Sequence, residues 1–165
     1  MELTQILSLE KWVELENELF ERFQLQGSVF NKDGVRITSS KNWTNSICPV
    51  IKSIDEGQSF ICASAHMNMS TQAMKTRKPV IGECDAGMVK IVVPVFVNDE
   101  YLGVVGGCGL LEEGSELDEF AIHKITCLDP EKIKQLCADI PTISMEGIKQ
   151  ACAFLEEQLA AEGVA

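Results

Sequence analysis

A chain of 165 residues, 45% hydrophobic, has the material for one domain with a proper core, while its net charge of −11 repels phosphate backbones and anionic lipid. Nucleic-acid binding is therefore set aside, as is a membrane span, since no apolar run is long enough to cross a bilayer. Met1-Glu2-Leu3-Thr4-Gln5 lacks the basic and apolar blocks of a signal peptide, so the expected location is cytoplasmic. Seven cysteines, an odd number, fit a reducing compartment better than a disulfide framework.

Ser8 is a helix cap, with Glu10 in the first turn. Trp12, Leu15, Leu19 and Phe23 recur at helical spacing, which predicts an amphipathic helix ending near Gln26-Gly27. Ser28-Val29-Phe30 and Val35-Arg36-Ile37-Thr38 flank an Asp33-Gly34 turn and read as a β-hairpin. Ile47, Val50, Ile51 and Ile54 predict a short helix carrying Cys48, broken at Gly57. From Gln58 to about Thr76 the pattern is helical again, with Cys62, His66, Met69 and Ala73 on one stripe, and Lys78-Pro79 ends it.

Val80 to Cys84, Met88 to Val97 and Tyr101 to Leu111 read as three strands joined by tight turns, with Pro94 near a bulge or an edge. The glycines of the third strand leave room for a pocket or for a helix set close to the sheet. Ser115 is a cap for a helix through Phe120 and Ile125, Asp129-Pro130-Glu131 starts another, and Ser144 opens the last, with Ile148, Cys152, Leu155 and Leu159 as its apolar stripe. That stripe serves either the domain's own sheet or a partner. The sum is a single α+β domain over residues 1–165: a helical segment at about 9–26, a core at about 27–112 and a helical segment at about 115–162. Five antiparallel strands flanked by helices, two of them between the second and third strands, match a PAS/GAF-like sensor scaffold, whose sheet curls round a small-molecule pocket.

The chemistry-bearing residues gather in the middle of the chain. Cys48, Cys62 and Cys84 lie on three elements, and their long separations differ from the short knuckles of structural zinc sites. If they converge, three uses are open: ligands for zinc or an iron–sulfur cluster, a dithiol–disulfide switch, or the lining of an organic-ligand pocket. Packing is the plain alternative. Cys108 and His66, one helical turn after Cys62, are the candidates for a fourth ligand. Met67, Met69, Met74 and Met88 crowd the same region as core or pocket rim. Cys127, Cys137 and Cys152 read as packing residues on helical apolar faces, and His123 as a surface residue. The run Gly103–Gly109 lacks the lysine and hydroxyl residue of a phosphate loop.

Phe30-Asn31-Lys32-Asp33-Gly34, Cys48, Cys62, Lys78-Pro79-Val80-Ile81, Cys84-Asp85-Ala86-Gly87, Pro94-Val95 and Leu102-Gly103-Val104-Val105-Gly106-Gly107 together resemble the PocR sensory domain, over roughly Leu9 to Ile140. The Cys-x-Ala-Gly segment is the most specific part. The resemblance implies a PAS-like fold that binds small hydrocarbon derivatives such as diols. Members of that family are joined to AraC-type regulators, histidine kinases or chemoreceptors, or occur nearly alone. No DNA-binding or kinase segment is present here, so output is expected to pass to a protein signalling partner or to a part not included in this sequence. Such scaffolds often dimerise through terminal helices, which makes a homodimer the implied assembly. Cys108 departs from the pattern, in which a non-cysteine residue, often glutamine, is expected. The site expected from all this is Cys48, Cys62, His66, Cys84, Met88 and Cys108 around a ligand, with Cys48, Cys62, Cys84 and Cys108 as the metal set. The expected role is a sensor rather than an enzyme. The alternative is a thiol-dependent reductase similar to GAF-scaffold proteins that use three cysteines to reduce methionine sulfoxide.

Overall fold

The computed structural model describes residues 1–164. A one-turn helix α1 (Leu3–Ile6) leads into α2 (Leu9–Phe23), where the Ser8 hydroxyl accepts from the Lys11 amide as a cap. Trp12, Leu15 and Leu19 bury one face of α2, and the Trp12 indole donates 3.1 Å to the Leu3 carbonyl, fastening α1 alongside. The helix stops at Phe23, earlier than expected. Gln24 takes a left-handed cap, and Gln26 already begins strand β1 (Gln26–Asn31).

The expected return strand, Val35 to Thr38, reduces to a single bridge between Phe30 and Arg36. Side chains draw this segment out of the ladder. Arg36 Nη2 donates to the Gly27 carbonyl (3.1 Å) and the Ser40 carbonyl (2.8 Å), and it lies 3.5 Å from the Glu16 carboxylate. Thr38 Oγ1 donates to the same carboxylate. Glu16 is buried on α2, so the loop is tied to the helix rather than to a strand.

Helix α3 (Ile47–Ser53) follows, then a one-turn helix α4 (Asp55–Gly57), a π-helical stretch (Gln58–Ala63) and α5 (Ser64–Thr76). The break falls at Ile54, which is extended, and not at Gly57, which sits in a helical turn against the backbone of Ile51. The next three strands form the expected meander: β2 (Val80–Glu83), β3 (Val89–Val97) and β4 (Glu100–Glu112), in the sheet order β1-β4-β3-β2. Strand β2 pairs only as far as Val92, so Pro94 occupies a stretch of β3 with no neighbour on that side and lacks an amide where none is needed.

Helices α6 (Glu119–Thr126), α7 (Pro130–Cys137) and α8 (Met145–Ala161) complete the chain, with Asp118, Asp129 and Ser144 as their caps. Ser115 is not a cap: it lies in a turn closed on Glu112, and Phe120 is exposed while Ile122 carries the buried face. Strand β5 (Thr142–Ile143) pairs parallel with the end of β4 and is the fifth strand of the sheet. The architecture is thus an α+β, PAS/GAF-like five-stranded sheet flanked by helices, with one strand drawn from a different place than expected.

Strand alternation gives the sheet two different faces. Val29, Ile91, Val93, Val95 and Val105 join the core under α2 and α8. Ile148, Cys152, Leu155 and Leu159 are buried in that same core, so the α8 stripe serves the domain's own sheet. On the other face, Val80, Val92 and Val104 meet Met69 and Ala73 of α5. No helix among the described residues is long and apolar enough to cross a membrane.

Candidate functional site

Beside α5, the second face of the sheet is not filled by side chains. A cavity of about 230 Å³ lies there, walled by the sheet on one side and by α3, the π-helical stretch and α5 on the other. All six residues singled out from the sequence line it: Cys48, Cys62, His66, Cys84, Met88 and Cys108. Cys48 comes from α3, Cys62 from the π-helical stretch, His66 from α5, Cys108 from β4, and Cys84 with Met88 from the turn joining β2 to β3. In that turn the Gly87 amide closes on the Cys84 carbonyl (2.8 Å) and the Cys84 amide on the Met88 carbonyl (2.9 Å).

A β-bulge shapes the sheet side. Val89 pairs with Leu110 but Lys90 pairs with Cys108, which leaves Gly109 as an extra residue on β4. Its φ of +104° suits glycine, and its carbonyl is free of the ladder. Asn45 Nδ2 donates to that carbonyl at 2.7 Å and Thr44 Oγ1 at 2.9 Å. The Asn45 carbonyl oxygen in turn accepts from the Cys48 amide at 2.8 Å, and its Nδ2 lies 3.3 Å from the Cys48 sulfur. One buried amide side chain thus joins the first turn of α3 to the sheet and sets the Cys48 thiol 3.6 Å from the Met88 sulfur.

Burial keeps the thiols of Cys48, Cys62 and Cys84 protonated. Burial raises Cys48 far above the usual thiol range, and Cys108, Cys84 and Cys62 reinforce the shift. Burial pushes Cys62 up to about 11, although Lys52 pulls the other way. Cys84 is also raised by burial, against the backbone amides of Met88 and Ala86. Burial drives His66 down to about 3, helped by Lys90 and Lys52, so at neutral pH it is an uncharged imidazole. That ring stacks on Phe30 at 3.8 Å between centroids and shares a 3.2 Å hydrogen bond with Ser70. The four cavity thiols are soft donors suited to zinc or iron, yet among the described residues no three His, Cys, Asp or Glu side chains cluster closely enough to hold a metal ion.

Outside the cavity the cysteines divide. Cys152 is core and Cys137 is half-buried, but Cys127, expected as a packing residue, is exposed at the left-handed cap ending α6. The methionines divide too: Met69 and Met88 are buried, while Met67, at the cavity rim, and Met74 are exposed. Iodoacetamide labelling of the native protein, read peptide by peptide by mass spectrometry, is expected to modify Cys127 first. A thiol raised from 9.0 to about 11 holds roughly 100-fold less thiolate, so Cys62 labels slowly, as do Cys48 and Cys84. Equal rates at Cys84 and Cys127 would contradict the burial described above.

Two residues of the wall, Gln26 and Lys90, and Asn45 behind it carry little signal in the sequence. Asn45 sits in a loop where only contacts reveal it. Gln26 was assigned to the end of a helix. Lys90 carries the one signal: a lysine inside the run Val89-Lys90-Ile91-Val92-Val93 is out of place in a strand covered on both faces.

Against known families, residues 5–161 match the sensory domain found in PocR. Searches of curated proteins and of solved structures returned no match. The matched span takes in every element from α2 to α8 and every residue of the cavity wall, and a sensory, ligand-binding role comes with it. The chain therefore belongs to the PocR sensory-domain family.

Proposed function

We propose that this domain senses a small molecule held in the thiol-walled cavity and relays its occupancy to a partner protein through the helices that form the outer wall. The observation that carries this reading is the cavity itself. It is small, mostly apolar or sulfur-lined, and bordered by α3, the π-helical stretch and α5, whose positions a bound molecule can bias. About 230 Å³ lies below the roughly 300–1,000 Å³ of pockets for drug-sized ligands, which points to a small metabolite. The π-helical stretch adds support, because such segments recur at functional sites, and Gln58, Ile61, Cys62 and Ala63 all reach the cavity from it.

Thermal unfolding against a panel of small alcohols, diols, amides and acids tests the reading. A ligand at 100 times its Kd adds about 2.7 kcal/mol, which raises the melting temperature by roughly 5–10 °C in a domain of this size. No shift from any member of the panel overturns it.

A second reading makes Cys48, Cys62, Cys84 and Cys108 ligands of zinc or an iron–sulfur cluster. It is favoured by four soft donors on one cavity and weakened by the absence of a close three-ligand cluster among the described residues. Elemental analysis and an absorption spectrum of anaerobically purified protein separate the two. The reductase alternative requires a thiolate of low pKa, whereas burial raises Cys48, Cys62 and Cys84.

A further inference from the structure

We propose that the cavity recognises a small organic anion, a short-chain carboxylate, held by Lys90 and Gln26 over Cys108. This inference rests on the reading of the cavity as the ligand site and names the chemistry it selects.

Gln26 on β1 pairs with Cys108 on β4, and Cys108 pairs with Lys90 on β3. Directly paired residues share a face, so the three stand in a row across the sheet, and all three line the cavity. Two strand spacings put the backbones of Gln26 and Lys90 roughly 10 Å apart, with the thiol between them. Long side chains from both ends of such a row reach a single group above its middle.

Neither end of the row is satisfied within the protein. Gln26 is 2% exposed, and its Nε2 is buried without a hydrogen-bond acceptor. Lys90 is 7% exposed as a residue and lines the cavity, and among the described residues its ammonium makes no ion pair and no side-chain hydrogen bond. A buried donor without an acceptor is costly, and an ammonium on the cavity wall without an ion pair is free to take an anion, so one carboxylate serves both. The remaining charges on the wall favour the same sign of ligand. Lys52 adds a second positive charge, Asp33 is the one acidic residue there, and His66 is neutral. An interior that is net positive stands out in a chain of net charge −11. Phe30, Ile51, Ile61 and Met88 supply the apolar surface for a short hydrocarbon tail.

The test compares matched probes on the intact chain by isothermal titration at pH 7: propanoate, butanoate and 2-hydroxypropanoate against propanamide, butanamide and propane-1,2-diol. At least one carboxylate is expected to bind about 30-fold or more tightly than its amide, and Lys90→Met to lose that advantage. Lys90→Met, without ligand, is expected to melt at the same or a higher temperature than the parent, because the change breaks no ion pair or side-chain hydrogen bond and puts an apolar side chain on a largely apolar wall. A residue needed only for structure would give a lower one. Gln26→Leu is expected to weaken the carboxylate about 10-fold and gives an independent reading if Lys90→Met fails to fold. Amides or the diol binding as well as the acids would overturn the anion assignment and leave the sensor reading standing. No binding by any probe would count against both.

Discussion

Replacing Arg36 with methionine is expected to lower stability by about 3 kcal/mol at neutral pH, the low end for breaking a buried ion pair. Arg36 does more than neutralise Glu16. It also donates to the carbonyls of Gly27 and Ser40, so its loss frees the whole loop that leads to the cavity helix α3. Glu16 stays behind with Thr38 as a donor but without its counter-charge. Burial already raises the Glu16 pKa, and Arg36 is one of the groups that hold it down. Without Arg36 the pKa rises further. A carboxyl whose folded pKa exceeds its unfolded value contributes stability that is fully present below the unfolded pKa and is lost as pH rises through the folded one. The deficit of Arg36→Met is therefore expected to shrink on acidification, by at most about 1.4 kcal/mol per pH unit for the one proton involved. Urea unfolding of parent and variant at several pH values between 5 and 8 measures this. A deficit that stays flat across that range would mean that the loop contacts, and not the charge pair, carry the effect.

Asn45→Ala is expected to cost about 2–3 kcal/mol, the sum of a lost acceptor for the Cys48 amide and a lost donor to the Gly109 carbonyl. The Gly109 carbonyl keeps Thr44, which limits the damage on that side. Asn45→Asp separates the two halves of the side chain. Aspartate still accepts from the Cys48 amide but cannot donate to Gly109, and it sets a charge beside a buried carbonyl and two sulfur atoms. It is expected to be worse than alanine. Chemical denaturation ranks the variants, and an Asp variant as stable as the parent would refute the role given to the donor.

Much of the fold was readable locally because its signals are local. The caps at Ser8, Asp129 and Ser144 and the meander through Asn98-Asp99 need only a few neighbouring residues to declare themselves. The return strand at Val35–Thr38 failed because its fate is decided by Glu16, twenty residues away from Arg36 in sequence and buried on another element. The π-helical stretch was hidden because helical spacing at Cys62 and His66 satisfies an α-helical reading equally well. Strand β5 has two residues, too few for any alternation to show. As for the site, spacing alone said little about whether Cys48, Cys62 and Cys84 meet. The family resemblance kept a shared site open beside plain packing, and all three line one cavity. Gln26 is hidden because α2 ends with its apolar stripe at Phe23, about three residues before the Gln26-Gly27 boundary expected from the sequence.

The row formed by Gln26, Cys108 and Lys90 also bears on how such a domain diversifies. Main-chain ladder bonds fix these positions, so their side chains can change without loss of the sheet that presents them. Asn45 has no such freedom, since its side chain is itself the link between α3 and β4. Three codons on neighbouring strands thus set the chemistry of the cavity floor while the scaffold is inherited intact. Single substitutions in that row change what the cavity floor offers a ligand without touching the ladder that presents it.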